Sequence, residues 1–206
     1  MISKLAAIFG SKTKAQEIVS LLAGAKPVVR HGYYDYELPK VELFCKENQL
    51  YLVKSNFKVQ FADEGSYSNK GIRFPLTDPR PGMFFIYISL DEHKAWQASY
   101  YELQGNDREL GRILGYPACC VDFFSRRFSE QNPNLQLQPT NPFTNLTQRA
   151  QDLVLLSHFP CSSDCIESIK IGRRNLEVIQ KLDAQRATEI EQGLRTVKVN
   201  DLTKSF

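Results

Sequence analysis

The chain has 206 residues, 42% of them hydrophobic and 24% charged, with 26 Lys and Arg against 23 Asp and Glu for a formal charge of +3. This composition excludes a disordered or fibrous chain, and so small a positive surplus does not by itself call for a nucleic-acid or membrane partner. The longest apolar run, 83–88, is far too short to span a bilayer, and the apolar stretch after Lys4 is too brief for a signal-peptide core. A cytoplasmic protein with reduced thiols is the expectation.

Ala15, Ile18, Val19 and Leu22 recur at helical spacing over 14–22, with Ser11 or Thr13 as cap and Gly24 and Pro27 as stops. From 28 to 61 the period changes to two. Val41, Leu43 and Cys45 alternate with polar neighbours, Glu47, Asn48 and Gln49 make a turn, and 50–53 and 57–61 continue as strands, predicting an antiparallel meander. Cys45, in its first arm, has no ligand-type neighbour and reads as a small core residue. The stretch 62–82, rich in Asp, Ser, Asn, Gly and Pro, predicts a long loop of the kind that serves as a lid or binding loop or is simply mobile.

Residues 83–90 form a strongly apolar, aromatic segment, predicted to be a central strand. Ser89 with Glu92 then opens a helix carrying Ala95, Trp96, Tyr100 and Leu103. A short helix over 108–114 follows, capped by Asn106 and Asp107 and closed by Gly115. The Gln, Asn and Pro tract 130–142 has no period and reads as an exposed connection. A helix from Thr144 or Asn145 to Leu156 and a last long helix from Cys165 to about Leu194 complete the chain. These elements predict an α+β fold: an N-terminal helix, a mostly antiparallel sheet of four to six strands, and a helical C-terminal half. The boundary falls between 1–104 and 105–206, within one compact unit.

Two stretches carry the chemistry. In Leu114-Gly115-Tyr116-Pro117-Ala118-Cys119-Cys120-Val121-Asp122-Phe123-Phe124, Pro117 suits a first helical position and sets Cys119 and Cys120 in the first turn, where unpaired N–H groups and the helix dipole favour a thiolate. In His158-Phe159-Pro160-Cys161-Ser162-Ser163-Asp164-Cys165, Asp164 and Glu167 resemble a capping box, so Cys165 also enters a first turn.

Thiolates held together repel and require a cation or oxidation. Cys119, Cys120, Cys161, Cys165 and His158 are therefore candidate ligands of a zinc ion, and the four cysteines alone would suit an iron–sulfur cluster. Adjacent cysteines argue against zinc, because neighbouring helical side chains diverge by about 100°. A thiol–disulfide or cysteine-nucleophile enzyme is the second expectation, and plain core packing the third. Arg126, Arg127, Lys170, Arg173 and Arg174 lie two turns beyond the thiols. They read either as solvated helix faces or as a frame for an anionic small molecule or a nucleic-acid backbone.

In these two stretches the sequence resembles a family of microbial proteins catalogued as a domain of unknown function, over roughly 108–174. The resemblance implies that Cys119, Cys120, Cys161 and Cys165 form one functional unit, and it brings no activity with it.

Overall fold

The structure is a computed structural model that describes residues 1–61, 71–129, 131–132 and 134–196. Its centre is β5 (Phe84–Ser89), apolar from Phe84 to Ile88 and buried along its whole length. It pairs antiparallel with β1 (Val28–Tyr33) on one side and β2 (Tyr51–Lys54) on the other, which gives the order β1-β5-β2. The two-residue period of a strand divides its side chains between two cores. Phe84, Ile86 and Ile88 pack with Phe9, Ile18, Leu21, Val41 and Cys45, whereas Phe85 and Tyr87 pack with Ala95, Ala98, Leu110 and Leu114. A central strand at 83–90 is thus borne out.

The first core is covered by α1 (Ile2–Phe9), α2 (Lys12–Leu22) and α3 (Leu38–Glu47). The third of these corrects the expected meander. Val41, Leu43 and Cys45 do alternate, but Leu38, Val41 and Cys45 also follow helical spacing and are buried, while Leu43 is 56% exposed. Pro39 at the helix start is the turn-like signal that favours a helix there. Cys45 is indeed a small core residue, although on a helix.

A second correction concerns the loop expected over 62–82. Its 62–70 part lies outside the described residues, but β4 (Gly71–Pro75) pairs antiparallel with β3 (Phe57–Phe61) as a separate ribbon, hooked to the central sheet through Val59 and Met83. Arg73 on this ribbon reaches Glu102 in α4 (Glu92–Leu103), and Arg30 and Tyr87 converge on the same buried carboxylate. Four elements are pinned together there, with the charge compensated as burial requires.

Beyond α4, the described C-terminal part is helix and irregular chain. Asn106 caps α5 (Asp107–Ile113) by accepting the Glu109 N–H. Gly115, at φ 79°, closes it with bonds from Gly115 N–H to Arg112 and from Tyr116 N–H to Gly111, a turn that a side chain would strain. Next come α6 (Ala118–Arg127), α7 (Ile166–Leu182) and α8 (Ala184–Thr196), so the expected last helix is two, broken at Asp183. The helix expected over 144–156 is absent. That segment holds only short 3-10 turns at Pro142–Thr144 and Arg149–Gln151, because its polar side chains satisfy the backbone locally, as Asn145 does by accepting from the Thr147 N–H.

The C-terminal part is fastened back onto α2. Asp152 accepts the Lys12 and Thr13 N–H groups at the start of α2, and Arg186 bonds Gln16. Leu155, Ile179, Ala187 and Ile190 bury the rest of α2 together with Ile2, Ala15 and Val19.

Candidate metal centre

The closed turn at Gly115 delivers the chain directly into α6, where Pro117 is the cap residue with its carbonyl accepting from Cys120 and Val121. Cys119 and Cys120 are therefore the second and third helical residues. In the later stretch the cap residue of α7 is Cys165, one position later than the Asp164 of the capping-box pattern. Asp164 does not cap that helix: its carboxylate accepts from Thr140, while Ser163 Oγ accepts the Thr140 and Asn141 N–H groups, which ties the 140–144 segment across the stretch. The two helix starts meet, and four sulfurs separated by up to 46 positions come together.

Cys119 Sγ lies 3.9 Å from Cys120 Sγ and 3.7 Å from Cys165 Sγ, and Cys120 and Cys165 are 3.6 Å apart. With Cys161 included, all four sulfurs fall within 4.8 Å of one another. These are not bonded sulfurs, and all five cysteines of the chain are free. A tetrahedron of thiolates at the zinc–sulfur distance of about 2.3 Å has edges of about 3.8 Å, a length close to the separations among Cys119, Cys120 and Cys165. Although adjacent on α6, Cys119 and Cys120 both reach Cys165, at 3.7 and 3.6 Å. Donor chemistry agrees with the spacing: four soft sulfurs favour a thiophilic metal over hard cations.

The surroundings are graded. Cys120 and Cys165 are buried, Cys161 is half-buried and Cys119 is exposed. Cys120 Sγ is held by the Cys161 N–H at 3.3 Å and by Ser168 Oγ at 3.2 Å. Burial pushes the Cys120 thiol up despite those donors, and burial likewise raises Cys161, to about 11. At Cys165 burial also resists ionisation, but the Ser168 hydroxyl and N–H, aided by Cys120 and Cys161, bring it down to about 7. Of these three thiols, Cys165 is the one its surroundings bias toward the charged form.

His158 stands one residue behind the sulfurs and outside the four-sulfur group. It is buried, its Nε2 is 2.9 Å from Ser168 Oγ, and its ring lies against Tyr116 with centroids 5.0 Å apart. Burial, with the Lys26 charge adding to it, lowers its pKa to about 3, so it is a neutral imidazole. Ser168, completely buried, links His158 to Cys120. It sits one helical turn after Cys165, where a side chain shares that cysteine's face, but a lone helical serine carries no sequence signal of such a role.

The five basic residues lie beside this centre rather than in it. Arg126 and Arg127 are exposed in the last turn of α6, Lys170 pairs with Glu167 at 2.7 Å, Arg173 lies 5.3 Å over the Phe143 ring, and Arg174 is exposed. Lys170 and Arg173 thus have protein partners.

Fold and site together define the class: an α+β protein whose C-terminal helices bring four cysteines within metal-binding distance. Its C-terminal half resembles an uncharacterised family, for residues 96–195 match the family model described as "Protein of unknown function (DUF483)". The match runs from within α4 into α8 and contains both cysteine stretches. No curated protein and no solved structure matches the chain. Among the described residues no helix is long and apolar enough to cross a membrane.

Proposed function

We propose that the chain is a metal-binding protein holding one ion, zinc or a single iron, on Cys119, Cys120, Cys161 and Cys165. The observation that carries this reading is the sulfur geometry, three separations of 3.6 to 3.9 Å around a common centre. A multi-iron cluster divides the four thiolates between two or four irons and spreads them outward, so the compact arrangement favours one ion. The metal supplies charge neutralisation and a cross-link between the start of α6 and the start of α7. His158 and Ser168 orient Cys120 from behind, the role that partners of ligands generally play.

The testing experiment is elemental analysis and an absorption spectrum of protein purified without oxygen. One zinc or one iron per chain is expected, and replacement of the native ion by cobalt should give the visible bands of a tetrahedral thiolate site. An empty protein, or several irons with sulfide, would reject the reading.

A second reading, thiol–disulfide cycling, is favoured by the lowered Cys165 thiol with two sulfurs within 3.7 Å as resolving partners. Counting free thiols before and after reduction separates it, since a metal site shows no change in count.

A further inference from the structure

The geometry points to Cys119 as an alkyl-accepting nucleophile, a function that rests on the metal reading and goes beyond it. Four thiolates around a divalent ion leave the centre with a formal charge of about −2, so each sulfur keeps substantial electron density. The four are not equal. Cys120 is buried and takes two hydrogen bonds, from the Cys161 N–H and the Ser168 hydroxyl. Cys165 is buried beside Ser168, and Cys161 is half-buried.

Cys119 is exposed, and among the described residues its contacts are to sulfur, with no N–H or O–H donating to it. A donor stabilises a thiolate lone pair in the ground state more than in a transition state that disperses its charge, so an undonated thiolate is the better nucleophile. Reactivity and access therefore coincide on one sulfur, at the mouth of the site, while the three protected sulfurs hold the ion.

The substrate class is a soft carbon electrophile, an alkyl group on a good leaving group. Cys119 Sγ attacks the carbon with its lone pair, the new S–C bond forms as the bond to the leaving group breaks, and that group departs with the bonding pair as an anion. No proton, oxidant or reductant is needed. Cys119 becomes a thioether, so each chain accepts one alkyl group, and the ion remains on Cys120, Cys161 and Cys165.

The test is reaction of the metal-loaded chain with one equivalent of iodoacetamide, read by native mass spectrometry and peptide mapping. We expect one carbamidomethyl group, on Cys119, in a species that still carries its ion. Its rate should be unchanged between about pH 6 and pH 8, whereas a free thiol of pKa about 8.5 slows roughly tenfold for each unit below that value. A first adduct on Cys161 or Cys165, or a Cys119 rate that falls with pH as a free thiol's does, overturns the proposal while retained metal leaves the site reading intact. A chain that carries no ion overturns both. Cys119→Ser should abolish the fast adduct, and its persistence would equally overturn the assignment.

Discussion

Ser168 has one hydroxyl proton to give, and Cys120, Cys165 and His158 all lie within its reach, although Cys165 also has the Ser168 N–H. A thiolate cannot donate, so the hydroxyl donates to Cys120 Sγ at 3.2 Å and its oxygen accepts the Nε2–H of His158 at 2.9 Å. This assignment agrees with the neutral imidazole that burial enforces. Ser168→Ala should leave the helix intact while removing the donor from Cys120 and stranding the imidazole N–H. Metal affinity should fall roughly 10- to 100-fold, the usual cost of losing such a partner, as read by competition with a chromophoric chelator. Unchanged affinity would mean the hydroxyl only fills space.

The other buried histidine, His31, lies 3.5 Å from Glu17 and 3.3 Å from the Tyr33 hydroxyl, with Lys14 and Lys26 near. Burial lowers its pKa from 6.5, and the two lysines lower it further against the pull of Glu17. The unfolded chain therefore binds the proton better than the folded one, so stability falls as pH drops through and below 6.5, with a limiting slope of about 1.4 kcal/mol per pH unit. His31→Gln should lose this slope, so its urea midpoint should gain on the parent's between about pH 7 and pH 5. Parallel midpoints would show that His31 takes up its proton in the fold as readily as in the unfolded chain.

At the level of elements, the packing of α7 depends on a missing side chain. A Cβ on Gly172 would stand 2.9 Å from the Phe143 carbonyl oxygen, and backbone cannot swing aside as a side-chain tip can. Gly172→Ala should push α7 off the 142–144 turn and cost about 1–3 kcal/mol, lowering the melting temperature by several degrees. An unchanged or raised melting temperature would show that the turn yields.

Elements of this kind mark the limit of what the sequence discloses. β5 was legible because six consecutive apolar residues allow little else, and α5 because Asn106 and Gly115 mark its two ends. The cysteine turns were legible because Pro117 and the paired thiols are local signals. The α3 helix was not, since Val41, Leu43 and Cys45 satisfy both periods and only tertiary burial of Leu38, Val41 and Cys45 decides between them. The β4 strand was hidden for a different reason: its partner β3, not its own composition, makes it a strand. Ser168 is invisible in sequence because its role exists only once His158 and Cys120 flank it.

Across the whole molecule, order is distributed unevenly. The sheet has a core on each face, and α2, α7 and α8 share a third. The connection from α6 to α7 has, among its described residues, two short 3-10 turns and a small cluster of Leu135, Leu146, Leu156 and Phe159 packed against Phe123, Phe124, Phe128 and Ile171. So little regular structure leaves this connection dependent on what holds its ends, and the four cysteines lie at those ends.

Removing the ion under reducing conditions should therefore act regionally. An ion present at about 1,000 times its dissociation constant stabilises the fold by about 4 kcal/mol, so chelation should lower the melting temperature by roughly 8–16 °C in a chain this long. Limited proteolysis of the chelated protein should cut first between α6 and α7, while α1 to α3 and the central sheet stay resistant, and restoring the ion should reverse the cleavage pattern. Identical melting and cleavage with and without the ion would place the stability of that connection in its own side chains, and the four sulfurs would then need another reason to have been gathered at its ends.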